Sequence, residues 1–134
     1  MKNLILVFVT AILFCFQNVN AQSKFDKWPE LKTFHGVMSQ TFHPSEEGNL
    51  QPIKSRIAEF VEKANALAKS KIPTEFNNKS VKSATQKLKT DSKKLQKIIL
   101  KNKSDDEIKK SLSALHDTFH LIVEKCVKGD GHEH

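Results

Sequence analysis

The stretch that decides the fold is LQPIKSRIAEFVEKANAL, residues 50–67. Its apolar positions recur every three or four residues, at Leu50, Ile53, Ile57, Phe60, Ala64 and Leu67. This spacing puts them on one face of an α-helix, because a helix completes a turn about every 3.6 residues. A continuous apolar stripe is typical of a helix packed in a bundle. The stretch therefore predicts a bundle helix over residues 49–71, followed by the helix-breaking Pro73.

A second helix with the same periodicity is predicted before it, over residues 26–43. Asp26 is placed to cap this helix, and Pro29 is tolerated in its first turn. Pro44 is expected to end it, because the residue before a proline is disfavoured in helical conformation. The predicted core face consists of Trp28, Leu31, Phe34, Met38 and Phe42.

Two more helices are predicted in the second half of the chain. One covers residues 78–101, with its apolar stripe interrupted at Asp91 and Ser92. The other opens with a capping box, Ser104 to Glu107, and is expected to end at Gly129. Their predicted core positions are Val81, Ala84, Leu88, Leu95, Ile99, Ile108, Leu112, Leu115, Phe119, Ile122 and Cys126.

Four helices of similar length with short connections predict an all-α fold, an antiparallel up-down-up-down four-helix bundle. The bundle is expected to span residues 22–128. Residues 129–134, which include His132 and His134, are expected to form a disordered tail.

Residues 1–21 are interpreted as a cleaved signal peptide. A basic start at Lys2 precedes an apolar run from Leu4 to Phe16, and small residues end at Ala21. The run is too short for a membrane span, so the mature chain is expected to have none. The predicted location is the periplasm or the exterior. Cleavage leaves Cys126 as the one cysteine, which excludes an intrachain disulfide in the mature chain.

The formal net charge is +7, and much of the excess lies between Lys79 and Lys110. Nucleic acid is not expected as a partner, because no aromatic residue is interleaved with these lysines in an exported chain. The lysines are interpreted as a solvated helix face. The alternative is attraction to an acidic periplasmic protein or to an anionic lipid surface.

The histidines are the residues that indicate a function. His35 and Met38 are one helical turn apart, as are His116 and His120. Antiparallel packing would bring His35 level with about Thr118, between the two later histidines. These four residues are the predicted metal ligands. Imidazole and thioether ligands favour copper or zinc; Met38 would favour copper(I), and an all-histidine site zinc, nickel or copper(II).

These residues also have alternative interpretations. His35 can be a packed residue at the edge of the core, with His116 and His120 simply exposed. Asp91 or Asp117 is placed to orient a ligand histidine. The secondary metal candidates are His43, Glu46, Glu47 and Cys126. The favoured interpretation of the two glutamates is as dipole partners of the next helix, and that of Cys126 is as a buried thiol.

The plan of the chain resembles the exported four-helix-bundle cytochromes of the b and c′ types. The resemblance spans roughly residues 26–128 and rests on the signal peptide, the bundle length, Met38 and the segment Leu115–His120. It implies noncovalent haem b held by Met38 with His116 or His120. Covalent haem is excluded because no Cys-x-x-Cys-His is present. The chain is also loosely similar to exported helical metal sensors and metal-resistance proteins with paired histidines.

The sequence thus predicts a periplasmic transition-metal-binding bundle for copper or zinc buffering, sensing or delivery. One alternative is a b-type haem protein that transfers electrons. Another is a non-catalytic interaction or chaperone-like bundle that docks an acidic partner. An enzyme is not expected, because no nucleophile–base pair, phosphate loop or paired-carboxylate site is recognisable.

Overall fold

The computed structural model describes residues 23–127, which are helical apart from short connections. A short helix α1 (Ser23–Lys27) precedes four long helices. These are α2 (Pro29–Glu46), α3 (Gln51–Lys69), α4 (Lys79–Leu100) and α5 (Asp105–Val127). A single 3-10 turn, Thr74–Phe76, lies between α3 and α4. Within residues 23–127 there is no strand, so the all-α prediction is confirmed. The predicted signal peptide and histidine tail lie outside the described residues.

The four long helices pack against one another around one core. The six core positions predicted between residues 50 and 67 are all buried, with Ile53, Phe60, Ala64 and Leu67 completely so. The predicted apolar faces of α2 and α5 are buried as well, and on α4 only Ile99 is partly covered. Burial of this many large side chains is the main term that stabilises such a fold.

Helix packing is uneven around the bundle. Close backbone approach is extensive between α2 and α3, α3 and α4, and α4 and α5, but much sparser between α2 and α5. The side chains between α2 and α5 therefore border an open groove, which holds the candidate site.

Two predicted helix starts are confirmed by their side-chain caps. The Asn78 side chain accepts a hydrogen bond from the backbone N–H of Val81 at 2.9 Å, at the start of α4. At the start of α5, the Glu107 N–H donates to Ser104 Oγ at 3.2 Å, and the Ser104 N–H donates to Glu107 Oε2 at 3.1 Å. Both arrangements satisfy backbone donors that have no partner inside the helix.

The prediction that Pro44 ends its helix is wrong. Helix α2 continues through Pro44 to Glu46, and Ser45 is 1% exposed. Proline in a helix removes one backbone hydrogen bond, but here Phe42 and Ser45 both face the core, and packing keeps the last turn helical. The Ser45 hydroxyl donates to the Phe42 carbonyl at 2.5 Å. His43 and Glu46 consequently lie on α2 itself and not in a turn.

The start of this helix also differs from the prediction. A continuous helix from Asp26 is predicted, but the chain is interrupted at Trp28, between α1 and α2. Trp28 has φ −130° and ψ 85°, outside the helical region. Its position before Pro29 explains this conformation. The indole is 0% exposed, and its Nε1–H donates to Ser70 Oγ at 2.8 Å. The break lets α1 fold back so that Phe25 reaches the groove.

The polar interruption of α4 is satisfied within its own helix. Ser92 is 0% exposed, and its hydroxyl donates to the Lys89 carbonyl at 2.9 Å. Burial would raise the pKa of Asp91, but hydrogen bonds and charge from Lys87 and Lys94 hold it below the ordinary value. The Asp91 carboxylate is thus paired with two lysines of α4, not with a histidine.

Across residues 23–127, no helix combines the length and the apolar character that crossing a bilayer requires.

Candidate functional site

A groove of about 340 Å³ lies between α2 and α5, with Phe25 of α1 at one end. It is lined by Phe25, His35, Met38, Ser39, His43, His116, Phe119, His120 and Val123. All four predicted primary ligands border this one groove. So does His43, which the sequence placed in a separate cluster.

His116 and His120 form the closest polar pair in the groove. Their Nε2 atoms are 3.1 Å apart, and their ring centroids are 4.3 Å apart. The spacing of four residues on α5 puts both side chains on the same helix face. In neutral rings an Nε2–H of one donates to Nε2 of the other across this distance, so a metal held by both Nε2 atoms requires the donor ring to carry its proton on Nδ1 instead.

The His116 ring is held by Phe42. The two rings are stacked with centroids 3.6 Å apart and planes 11° from parallel. Phe42 is 7% exposed and belongs to the core face of α2. This contact fixes the plane of the His116 imidazole and ties α5 to α2 at the groove.

His35 lies between two phenylalanine rings. Its centroid is 4.9 Å from that of Phe25 and 5.5 Å from that of Phe119. The ring planes differ by 17° and 9°, so both contacts are stacked. Moving the His35 ring out of this position would break two aromatic contacts, at a cost of about 1–3 kcal/mol.

His43 differs from His35 in having a carboxylate partner. Its Nδ1 is 3.3 Å from Glu46 Oε2, and its side chain is 65% exposed. An ionised carboxylate only accepts hydrogen bonds, so Nδ1 carries the proton, which leaves Nε2 of the neutral ring free. Glu47, the other acidic candidate, is at the helix end and does not line the groove.

Met38 lies at the bottom of the groove. Its side chain is 1% exposed and belongs to the hydrophobic core. The thioether therefore packs beneath the imidazoles, and any coordination by sulfur would occur on the buried side of an ion.

The histidines influence one another electrostatically. Burial lowers the pKa of His116 below 6.5, His120 and His43 lower it further, and Asp117 and Glu46 oppose them. Burial also lowers the pKa of His35, with added effects from His120, His43 and Lys24. Both rings are held toward the neutral form, which is the form that binds metal.

The His116–His120 spacing suits a metal ion with nitrogen ligands. Zinc–nitrogen bonds of about 2.0–2.1 Å separate two ligand nitrogens by about 3.3 Å at a tetrahedral angle and about 2.9 Å at a right angle. The observed 3.1 Å falls between these values. Over residues 23–127, however, no three His, Cys, Asp or Glu side chains are assembled as a ready metal site. The pair is preformed, and a third ligand requires a side-chain rotation.

Cys126, the remaining secondary candidate, is outside the groove lining. It is a free cysteine, 6% exposed, and burial raises its pKa to about 11. A thiol with this pKa is almost entirely protonated at neutral pH, whereas metal ligation and alkylation both require the thiolate.

We therefore expect native Cys126 to react slowly with a thiol reagent. At pH 8 the folded protein should be labelled at least about 100-fold more slowly than the protein in denaturant, because the thiol is protonated and covered. The measurement is the rate of iodoacetamide labelling by mass spectrometry, with the denatured protein as the control. Equal rates in the two states would contradict this assignment.

No family model, curated protein or solved structure matches this chain.

Proposed function

We propose that this protein binds a transition metal ion, zinc or copper, in the groove between α2 and α5. His116 and His120 are the chelating pair. The observation that carries the proposal is the 3.1 Å separation of their Nε2 atoms, with the His116 ring fixed by its stack on Phe42. Two preoriented ligands reduce the ordering cost of binding.

The proposal includes an antiparallel up-down-up-down bundle. Contacts between helix ends support it: Trp28 at the start of α2 bonds to Ser70 just after α3, and Gln86 of α4 donates to the Ala68 carbonyl. Lys54 near the start of α3 pairs with Asp105 at the start of α5 at 2.9 Å. It also includes export to the periplasm or the exterior by residues 1–21, which rests on the sequence pattern alone.

Buffering, sensing or delivery of the ion fits this groove better than a structural role. Structural zinc sites are closed by four protein ligands. Here His35, His43 and His120 are exposed at the groove, and among residues 23–127 only the His116–His120 pair of imidazoles is within hydrogen-bond distance. A site with open positions exchanges its ion with solvent or a partner.

The experiment is metal analysis of the full chain after secretion, without an affinity tag. We expect uptake of about one zinc or copper(II) ion per chain, measured by competition with a chromophoric chelator. Absence of uptake for zinc, copper(II) and copper(I) would overturn the proposal. Met38→Leu then separates the ions, because loss of copper(I) affinity alone would identify the thioether as a soft ligand.

Noncovalent haem b, held by Met38 with His116 or His120, is the alternative from the cytochrome resemblance. The aromatic packing favours a small ion instead. Phe34 is in contact with Phe60 and Phe119, at centroid distances of 5.2 and 5.7 Å, and all three are buried. Phe119 also lines the groove with Met38, so this packed cluster occupies core space next to the candidate ligands. A Soret band in the secreted protein would support the haem alternative.

An interaction role has one specific observation in its favour. Leu121 is 42% exposed beside a cleft lined by Lys79 and Lys87 of α4. An exposed leucine among lysines suits an acidic protein with an apolar contact. The interaction role predicts salt-sensitive binding of such a partner, with no dependence on the histidines.

Metal affinity should depend on pH in a direction set by the imidazoles. Protonation competes with the metal, and the lowered pKa of His116 means that its ring stays neutral to a lower pH than an ordinary histidine. We expect zinc affinity to be level from about pH 8 to 7 and to fall below about pH 6. Competition titrations across this range test it. An affinity that is constant down to about pH 5 would speak against histidine ligation.

A further inference from the structure

The groove contains two more imidazoles beside the chelating pair, His35 and His43, and one must turn to provide a third ligand. Both border the groove with His116 and His120. They differ in what holds them. The third ligand is the ring that can turn without losing stacked contacts and that has an unprotonated nitrogen facing the metal.

His35 is restrained by two stacked phenylalanine rings. Phe25 and Phe119 both stack on it, with planes within 17° of the imidazole plane. A rotation that brings a His35 nitrogen to the chelating pair would leave both phenylalanine rings without their partner.

His43 has a hydrogen bond to Glu46 but no stacked ring partner among residues 23–127. Its side chain is 65% exposed, and its nearest aromatic neighbour is Phe42, at 5.9 Å and tilted by 58°. Phe42 also stacks on His116, so His43 and His116 lie on the same phenylalanine. A rotation of His43 toward the chelating pair breaks no stacked contact.

Glu46 selects the His43 nitrogen that faces a metal. Because Nδ1–H donates to Glu46 Oε2, the Nε2 lone pair is available. A carboxylate on the second nitrogen of a ligand histidine orients the ring and raises its basicity.

We propose that His43 is the third metal ligand and that Glu46 is its positioning residue, an inference that rests on the metal-binding function proposed above. The resulting site has three imidazoles, two from α5 and one from α2, with a fourth position open to water or a partner ligand. His35 then packs against Phe25 and Phe119 and closes the end of the groove.

The test compares variants of the full chain. Zinc Kd is measured by competition, and the nitrogen ligands of bound copper(II) are counted from the hyperfine splitting in its electron paramagnetic resonance spectrum. We expect His43→Gln to raise the zinc Kd at least about tenfold and to remove one nitrogen from the spectrum. His35→Gln should raise the zinc Kd only about twofold. Its copper(II) spectrum should retain all three nitrogens.

Glu46 is tested by a pair of substitutions. Glu46→Ala should weaken zinc binding by about tenfold, whereas Glu46→Gln should recover part of that loss, because its amide oxygen still accepts from Nδ1–H. Equal losses for the two variants, or none, would overturn the positioning role.

The outcomes separate the two proposals. Wild-type protein that takes up no metal overturns the proposed function. Wild-type binding that is lost with His116 and His120 but unchanged in His43→Gln overturns only the assignment of His43. A larger loss in His35→Gln than in His43→Gln would do the same and would identify His35 as the third ligand.

Discussion

Zinc binding should be lost in the His116→Ala/His120→Ala variant, with the Kd raised at least about 100-fold. Loss of one residue behind a metal ligand weakens binding about 10–100-fold, and this variant removes two direct ligands. Each single variant should account for most of the loss, because a chelating pair acts as a unit. Competition with a chromophoric chelator measures the effect.

The matched control is Lys109→Ala/Lys110→Ala. These two lysines are exposed on the same helix and do not line the groove. The control should bind zinc like the wild type, and both double variants should keep the helical circular dichroism spectrum. Wild-type affinity in the histidine variant would contradict the assignment of the chelating pair.

The second large effect is on folding and compares two leucines of α4. Leu95 is 0% exposed and Leu100 is 71% exposed. Leu95→Ala should lower the free energy of unfolding by about 2–5 kcal/mol, because it removes buried methyl groups and leaves a cavity. Leu100→Ala should change it by less than about 0.5 kcal/mol. Urea denaturation followed by circular dichroism measures both.

A loss of this size is a large fraction of the 5–15 kcal/mol or so by which typical domains are stable. The two variants carry the same chemical change, so the difference between them isolates burial. Similar losses at the two positions would contradict the assignment of the core.

The sequence predicted the helices because their local signals agree with their packing. The apolar stripe of α3 coincides with its buried face, and the caps at Asn78 and at Ser104 begin α4 and α5. Where a local signal and the core disagreed, the prediction was wrong. Pro44 is a local signal to stop, but the burial of Phe42 and Ser45 keeps the helix going for another turn.

Trp28 precedes Pro29 and has the non-helical backbone that a residue before proline favours, although a continuous helix was predicted there. There the extended backbone is compatible with burial of the indole and its bond to Ser70. The bend at Arg56 in α3, with φ −110° and ψ 15°, was also missed. Arg56 bonds to Glu59 one turn away and to Gln40 of α2, and the contact with Gln40 depends on the packing of two helices, which a periodic pattern does not reveal.

The grouping of the candidate residues was predicted, and their role as metal ligands stays a prediction. The sequence placed His35, Met38, His116 and His120 together, and all of them line the groove. His43 was assigned to a different cluster because α2 was expected to end there. A signal was present, since positions 35, 39 and 43 repeat every four residues on one helix face. The phenylalanine stacks that distinguish His35 from His43 depend on three helices at once and have no local signature.

The central claim is that a metal ion is held between the Nε2 atoms of His116 and His120. A crystal structure of the zinc-loaded protein, with anomalous scattering recorded at the zinc edge, tests it most directly. We predict one strong anomalous peak in the groove between α2 and α5, about 2.0–2.1 Å from both Nε2 atoms. A groove without a peak in crystals grown with excess zinc, or a peak bound only by other residues, would contradict the account.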